Sequence, residues 1–353
     1  MRILDRYIAS AVLTYILIVL LVLLGIYLFS TMVGEMGSVG RGSYTLLDAV
    51  IYSAMLIPRQ IHELFPMAAL VGTMLGLGSL ANTSELTVMR AAGISIRGIA
   101  MVVAKIGLLL VIAVALISEF VAPEAEKRAH FQRLEAIERS ISFRTGSGLW
   151  VRDGDSFLTM GRMLPNNEAR NITRYRMDGQ RISEIATAKS GRYREDGWDV
   201  EHITLTRFDE TGVTVTKARS QRWRSSLTPE VIGTAALSPD KLSVLELREF
   251  VAYLRENDLA SQRYEMALWM RAITPLATGG MILLALPFVF GSSRALGMDR
   301  RILLGVLLGI GFYLFNGVFS RVGLLYHLSP FVSAVTPTAT VYLLWFFLMR
   351  RLH

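Results

Sequence analysis

The sequence predicts an α-helical transmembrane protein of six spans, arranged as three plus three, with a β-domain inserted between the two halves. Three observations lead to this fold class. Of the 353 residues, 52% are hydrophobic, and the mean hydropathy is +0.42. The apolar residues form long runs at both ends of the chain, whereas the middle is polar, rich in arginine and strand-like. A soluble protein of this length does not concentrate so much apolar surface in continuous runs.

Six charge-free apolar runs are candidate spans, because a bilayer core of about 30 Å requires about 20 apolar residues per helix. The third run is short alone, but it extends through Ile94–Val121 if Lys105 and Glu119 lie near its ends. The first run is too long for a signal peptide and is not followed by a small-residue cleavage site, so we expect a retained first helix. The runs are Ile8–Val33, Leu64–Ala81, Ile106–Ser118, Ala272–Phe290, Ile302–Ser320 and Leu328–Met349.

The distribution of arginine predicts that both termini are cytoplasmic, because Lys and Arg collect in the inner loops of membrane proteins. With that orientation, the short outer loops contain only Arg41, Arg59 and Arg321. The middle domain is then outside, where its arginines do not affect topology. The inner segments contain Arg2, Arg6, Arg90, Arg97, Arg294, Arg300, Arg301, Arg350 and Arg351.

We divide the chain into spans one to three (residues 1–123), an inserted domain with helical connectors (124–262) and spans four to six (263–353). Charged helical patterns at Glu124–Arg139 and Ser243–Glu256 form the connectors. Between them, short alternating segments separated by Asp-Gly and Thr-Gly turns predict a sandwich or jelly roll. The predicted strands are Leu149–Val151, Phe157–Met160, Ile172–Arg176, Glu184–Ala188, Trp198–Phe208, Val213–Ser220 and Gln221–Trp223.

Several kinds of catalytic chemistry are excluded by missing motifs. No lysine follows a glycine, so the chain has no P-loop and we expect no ATPase activity of its own. It contains no His-Glu-x-x-His motif and no Gly-x-Ser-x-Gly elbow. It has no cysteine, and therefore no disulfide. The net charge of +8 is not accompanied by a nucleic-acid-binding signature, and anionic lipid is the better counter-ion. We expect no enzyme, no cofactor and no metal.

The inner loop Asn82–Arg97 predicts a short helix over Thr83–Ala92. Asn82 is its expected N-cap, and Gly93 suits the C′ position. Leu86, Met89 and Ala92 would share one face. Two interpretations remain open from the pattern: a surface helix that covers its neighbours, or a docking helix for a cytoplasmic partner.

Two arginines at the outer side also have two interpretations. Arg41 stands between two glycines at the outer end of the first span, and Arg59 follows Pro58, where we expect proline to interrupt the second span. Such arginines commonly extend to the membrane interface. They are also well shaped to bind phosphate. In the fifth span, Asn316 lies among aromatic residues that could pack, face lipid or line a cavity.

Short motifs along the whole chain resemble the LptF/LptG family of lipopolysaccharide export permeases. The stretch Ser84–Gly93, read as Ser-Glu-Leu-x-Val-Met-x-Ala-x-Gly, is characteristic of that family, and the opening Leu4–Ile8 favours its LptG branch. Further matching motifs are Phe65–Leu70, Gly76–Gly78, Gly148–Trp150 and Leu237–Asp240.

The resemblance implies a periplasmic β-jelly roll after the third of six spans and a location in the bacterial inner membrane. It also implies a heterodimer with LptF, two copies of the ATPase LptB, the single-span protein LptC and a periplasmic bridge. The inner helix then matches the family's coupling helix, with Glu85 as its acidic residue facing the ATPase. The coupling residues carried over are Ser84, Glu85, Leu86, Met89, Arg90 and Gly93.

We expect lipopolysaccharide acyl chains to occupy a cavity formed with the first and fifth spans, and Arg41 and Arg59 to contact head-group phosphates. One departure is that Thr31, Gly37 and Ser38 stand where family members carry lysines. The alternatives are an ABC permease for lipoprotein or peptide, and a membrane sensor that transports nothing. The expected cavity residues are Ile26, Phe29, Phe65, Phe312, Phe315, Asn316 and Phe319.

Overall fold

A computed structural model describes residues 3–138, 149–153, 155–164, 168–179, 181–194, 197–209, 212–225, 228, 239–291 and 298–351. The chain folds as two compact units. The helical unit comprises Met1–Ile141, Ser243–Leu245 and Glu265–His353, and the sheet unit comprises Ser142–Leu242 and Glu246–Tyr264.

The expected six spans are confirmed. Six helical stretches are long and apolar enough to cross a membrane: Ile3–Met36, Ile57–Asn82, Ile96–Arg133, Gln262–Phe290, Arg300–Leu325 and Pro330–Arg350. In chain order the helices are α1 (Ile3–Met36), α2 (Leu46–Met55), α3 (Ile57–Asn82), α4 (Glu85–Ala91), α5 (Ile96–Leu116), α6 (Ala122–Glu138), α7 (Val244–Glu256), α8 (Gln262–Phe290), α9 (Met298–Leu325) and α10 (Pro330–Arg350).

The short helix α2 was not expected from the sequence. It begins with a capping box, in which the Thr45 hydroxyl accepts from the Asp48 backbone N–H and the Asp48 carboxylate accepts from the Thr45 N–H at 2.8 Å. The Thr45 hydroxyl also donates to the Asp48 carboxylate at 2.7 Å, and this hydrogen bond, together with the one from the Thr45 N–H, lowers the pKa of Asp48. The expectation that Pro58 interrupts a span is wrong. Pro58 lies in the first turn of α3, where the backbone N–H that proline lacks would have no partner within the helix. The interruption between the two helices precedes Pro58 and lies at Leu56.

A π-helical turn at Ile117–Val121 joins α5 to α6, so the helix of the third span continues into α6. Glu119 lies in this turn. Its two carboxylate oxygens accept the backbone N–H groups of Val244 and Leu245 at 2.9 and 3.0 Å. These donors have no partner within α7, because the first N–H groups of any helix lack one. Glu119 therefore caps α7 from a distant part of the chain.

Helix α3 is the central element of the helical unit, and glycine allows α1 to approach it closely. A Cβ atom at Gly76 would lie 2.8 Å from the Cα of Val12, and one at Gly72 would collide with the backbone of Ile16. Such small residues let two membrane helices pack backbone to backbone. Around this crossing, α1, α3, α4, α5 and α8 share one buried apolar cluster.

Helix α9 packs on a different side of α3, again through glycine. Gly309 lies against Met67, and Gly305 lies against Val71 and Met74. A second apolar cluster joins α3 to α8 and α10 through Leu70, Met74, Met281, Leu284, Ala285 and Val341. Helix α3 therefore contacts α1 and α9 through separate faces.

The sheet unit confirms the inserted β-domain. Its described strands are β1 (Leu149–Asp153), β2 (Ser156–Leu164), β3 (Glu168–Asp178), β4 (Arg181–Arg194), β5 (Gly197–Asp209) and β6 (Gly212–Arg224). They form one antiparallel sheet in sequential order. The segments expected as separate strands at Val213–Ser220 and Gln221–Trp223 are one strand, β6. Three of the predicted turns, those at Gly154, Asp196 and Thr211, involve residues outside the described ranges.

One face of the sheet has an apolar core shared with α7. The fully buried Trp198 and Trp223 pair across β5 and β6, and Phe250, Tyr253 and Leu254 of α7 join their cluster. The Tyr253 hydroxyl donates to the backbone carbonyl of Arg152. Burial, with the nearby Asp153 carboxylate, raises the pKa of Tyr253 to about 12, so the phenol remains a donor at neutral pH.

The α1–α3 crossing gives a stability prediction. Gly72→Val should lower the free energy of unfolding by about 1–3 kcal/mol, because the added atoms collide with backbone that cannot move without separating the helices. Thermal unfolding in detergent measures the loss. Gly25→Val is the matched control on α1, since a Cβ atom there meets nothing within 4 Å. Equal effects of the two variants would contradict the close crossing.

Candidate functional site

The junction between α3 and α4 is the first candidate site. The expectation that Asn82 caps the short helix is wrong, because α3 continues through Asn82. Ser84 occupies the N-cap with a left-handed φ of 63°, which turns the chain sharply between the two helices. The Thr83 hydroxyl donates to the Glu85 carboxylate at 2.8 Å. Tyr7 of α1 also interacts with that carboxylate.

The end of α4 agrees with the sequence pattern. Gly93 has a φ of 91° and donates to the Arg90 carbonyl, while the Ile94 N–H donates to the Met89 carbonyl at 3.1 Å. These two bonds form a Schellman motif, for which glycine is the favoured residue at C′. The role of Gly93 as the C′ residue is therefore confirmed.

One face of α4 is anchored and the other is exposed. Leu86 and Met89 are buried in the apolar cluster of the helical unit, as expected. Ala92, expected on the same face, is instead the exposed C-cap residue. Val88 and Arg90 are exposed. A seven-residue helix that holds two anchors inside and presents an apolar and a basic side chain outside is suited to contact another protein.

A second polar group lies at the start of α3. Arg59 donates to Glu63 at 2.8 Å and to Glu126 of α6 at 2.5 Å, and His130 lies 3.6 Å from Glu126. Glu126 is only 2% exposed and Arg59 is 17% exposed. Burying one of these charges without the other would be costly. Arg59 therefore ties α3 to α6 as an ion-pair partner.

A third polar group was missed in the sequence because its members come from distant segments. Arg133 of α6 donates to Glu35 of α1 at 2.8 Å and to the Ser38 hydroxyl at 3.1 Å. Tyr44 donates to the same Glu35 carboxylate at 3.1 Å. Burial and that carboxylate raise the pKa of Tyr44 to about 12, which keeps its donor proton in place. Nothing in the sequence distinguished Arg133 from its neighbours, because charged residues occur along the whole of α6.

A cavity of about 380 Å³ opens beside this third group. Next to it, Gly40 and Gly42 have φ values of 88° and 59°, and they form the turn that carries Arg41. A Cβ atom at Gly42 would collide with the carbonyl of Ala136. The Arg41 side chain is exposed. The cavity is lined by Ser43, Tyr44, Asp48, Ile51, Tyr52, Ala129, Gln132, Arg133 and Ala136.

The expected acyl-chain residues lie on three helices in different surroundings. Ile26 and Phe29 are exposed on α1, with Phe29 at 73%. On α9, Phe315 is exposed and packs at a tilted angle against Phe319, with 4.6 Å between ring centroids, while Phe312 and Asn316 are half-buried. Phe65 of α3 is only 2% exposed and packs in the core. The chain thus places two exposed sets on α1 and α9, and Phe65 belongs to neither.

Comparison with known proteins adds a family to this arrangement. The family described as "Lipopolysaccharide export system permease LptF/LptG" matches residues 6–351. The chain belongs to the LptF/LptG family. A relative from Escherichia coli K12, named lipopolysaccharide export system permease protein LptG, is 33% identical over 358 residues, covering 99% of this chain and 98% of the relative. A protein of the same name from Haemophilus influenzae Rd is 32% identical over 352 residues, with the same coverage.

The match over nearly the whole chain confirms the resemblance found in the motifs. The architecture expected from that resemblance is also present, with membrane helices on both sides of an inserted sheet domain. The match includes α4, the polar groups around Arg59 and Arg133, and the exposed faces of α1 and α9.

The Arg59–Glu126 pair gives a second stability prediction. Glu126→Ala should cost about 3 kcal/mol, because Arg59 would keep a largely buried charge with one partner fewer. Thermal unfolding in detergent again measures the loss. The double exchange Arg59→Glu with Glu126→Arg should recover part of it. Glu124→Ala is the control, since its pair with Arg128 is exposed and worth less than about 1 kcal/mol. A loss no larger than that of the control would contradict the pairing.

Proposed function

We propose that the chain is the permease subunit of an ABC transporter that removes lipopolysaccharide from the bacterial inner membrane and passes it to a periplasmic bridge. The full-length family match is the observation that carries this proposal. The exposed helix α4 between two membrane spans supports it, because an ATP-driven permease that has no P-loop of its own needs a surface on which a separate ATPase can act.

The proposed partners are LptF, as the second half of a heterodimer, two copies of the ATPase LptB, and LptC with the periplasmic bridge. Both termini are cytoplasmic, and the inserted domain is periplasmic. In this orientation α4 faces the cytoplasm with exposed Arg90, Val88 and Thr87. Ser84, Glu85 and Gly93 shape its two ends, and Leu86 and Met89 hold it against the membrane helices.

The substrate sets a physical requirement for the pathway. Exposing acyl chains to water costs about 0.8 kcal/mol per CH₂ group. The exposed apolar faces of α1 and α9 provide surface that acyl chains can follow without meeting water. We propose that LptF completes the cavity, with acyl chains entering between one partner's first span and the other's fifth. Ile26, Phe29, Phe312, Phe315, Asn316 and Phe319 then face the lipid, while Phe65 supports them from the core.

The phosphorylated head group would lie at the outer ends of these helices. Arg41 is exposed on a rigid glycine turn and is available to a phosphate. Arg59 would contact the phosphate only by sharing its guanidinium with Glu63 and Glu126. Arg41 is therefore the stronger of the two proposed contacts.

The proposed mechanism transmits nucleotide-driven movement through α4. Closure of the ATPase pushes α4, which is joined to α3 by the two-residue turn Thr83–Ser84. Helix α3 packs on both α1 and α9, so its displacement changes the cavity that those helices line. The lipid then moves outward toward the periplasmic domain.

The first functional prediction concerns Glu85. Glu85→Ala in the complex purified with its ATPase should reduce lipopolysaccharide release per ATP hydrolysed by about fivefold or more, because it removes the carboxylate at the start of the docking helix. The assay measures ATP hydrolysis and lipid release in the same vesicles. Glu124→Ala, an exposed carboxylate on α6, should match the unmodified complex. Unchanged coupling in Glu85→Ala would refute its docking role. The absence of a co-purifying nucleotide-binding subunit would refute the proposed function.

The second prediction concerns Arg41. A photo-crosslinker at Phe29 should label lipopolysaccharide, and Arg41→Glu should reduce the labelling several-fold by repelling the phosphate. Arg321→Glu is the control, since Arg321 is also exposed near the end of a span that we place outside. Dephosphorylated lipid should label equally with and without the Arg41 substitution. Labelling that does not depend on Arg41 would leave the phosphate to other groups.

A further inference from the structure

Arg301 stands out because it is a buried cation near the start of a membrane helix. Its side chain is 1% exposed, whereas the adjacent Arg300 is exposed. A charged side chain buried among membrane helices is costly and usually marks a functional contact. Arginine collects in the inner loops of membrane proteins, but an exposed arginine such as Arg300 is enough to satisfy that rule. The burial of Arg301 therefore needs a separate explanation.

The guanidinium of Arg301 reaches the last turn of α3. Its Nη1 atom lies 3.5 Å from the side-chain oxygen of Asn82. A Cβ atom at Gly78 would lie only 2.5 Å from that same nitrogen, so glycine leaves the space that the guanidinium occupies. The carboxyl end of a helix carries partial negative charge, which favours a cation at this position. Gly78, Asn82 and Arg301 thus form one packed joint.

This joint is directly connected to α4. Asn82 is the last residue of α3, and α4 begins at Glu85. The turn between them is stiff, because the Thr83 N–H donates to the Ser79 carbonyl, the Ser84 N–H donates to the Ala81 carbonyl, and Ser84 is left-handed. A displacement of α4 therefore acts on the turn of α3 that receives Arg301.

The other end of the joint is α9, which carries the exposed apolar face described above. Along its length α9 meets α3 through Gly305 and Gly309, which make close apolar contacts with Met67, Val71 and Met74. Arg301 is different, because a planar guanidinium held between a helix end and a glycine fits in one geometry. It is the contact best able to transmit movement from α3 to α9.

We infer that Arg301 is a positioning residue that links the docking helix α4 to the fifth span α9, so that movement of α4 opens or closes the lipid-facing surface. This inference rests on the proposed function and adds the residue that connects the docking helix α4 to the lipid-facing helix α9. Gly78 is part of this link, since any side chain at that position would displace the Arg301 guanidinium.

The test follows α9 directly, through a cysteine that can be labelled from the aqueous or lipid side. The chain has no cysteine of its own, so Leu314→Cys on the exposed face of α9 is a unique label in a complex whose partners are cysteine-free. The rate of thiol labelling is measured without nucleotide and with a trapped nucleotide. In the unmodified complex the two rates should differ by about fivefold or more.

Arg301→Gln should abolish that difference, while Arg300→Gln, which removes the same charge from the next residue, should keep it. Arg301→Lys should restore only part of it, because an ammonium cannot fill the planar site. Co-purification of all subunits and ATP hydrolysis are measured for each variant. Arg301→Lys keeps the test informative if Arg301→Gln does not assemble.

Substitution of Gly78 provides an independent test of the same contact. Gly78→Ala should reproduce the loss, whereas Gly311→Ala on α9 should not, since a Cβ atom at Gly311 meets nothing within 4 Å. In the Arg301→Gln background, Gly78→Ala should have little further effect, because the two changes disrupt one contact. Additive effects would overturn the inference.

The outcomes separate the inference from the proposed function. A nucleotide-dependent labelling difference that survives in Arg301→Gln would overturn the inference and leave the proposed function intact. A difference that is absent from the unmodified complex, with normal lipid release, would also overturn it. A complex that binds no nucleotide and releases no lipopolysaccharide would refute the proposed function, and the inference with it.

Discussion

The helical unit depends on the close approach of three helices at α3. Helix α3 has glycines at Gly72 and Gly76 where α1 crosses it, and it receives Gly305 and Gly309 of α9 on another face. In a membrane, helices gain little from leaving lipid, so such close packing provides much of the force that holds them together. One helix thus fixes the positions of two others whose remaining faces stay exposed. The same helix ends at the turn leading to α4, so one element connects α4 to two helices, α1 and α9, that present exposed apolar faces.

Charge is handled differently at the two ends of this helix bundle. At the start of α3, carboxylates neutralise the arginines: Glu63 and Glu126 hold Arg59, and Glu35 holds Arg133. At the end of α3, Arg301 is buried against a glycine, an amide oxygen and the carboxyl end of a helix. The first arrangement fastens helices to one another and leaves Arg41 as the exposed cation on its turn. The second fits one geometry, which suits a joint that moves as a unit.

In the sheet unit, the turn residues determine where the hairpins lie, and strand pairing determines how far the strands extend. Gly179 and Gly212 have positive φ values at hairpin turns that the sequence indicates. The lengths of β2, β3 and β4 were underestimated, since each continues beyond its predicted segment, whereas β5 was predicted to within one residue at each end. A left-handed residue at His202 interrupts the alternation in β5, and the pairing resumes after it because Ile203 still meets Ala188.

Hydropathy and local turn signals are short-range properties, so the six spans, the inserted sheet domain and the Gly93 end of α4 could all be read directly from the residues. The capping box at Thr45 and Asp48 was equally local, and α2 could have been found from it. The partners of Arg59, Arg133, Glu119 and Arg301 were beyond reach, because each lies on another helix and depends on how far apart the helices pack. Identical arginines at positions 300 and 301 look the same in the chain, and only the space left by Gly78 decides that one of them is buried.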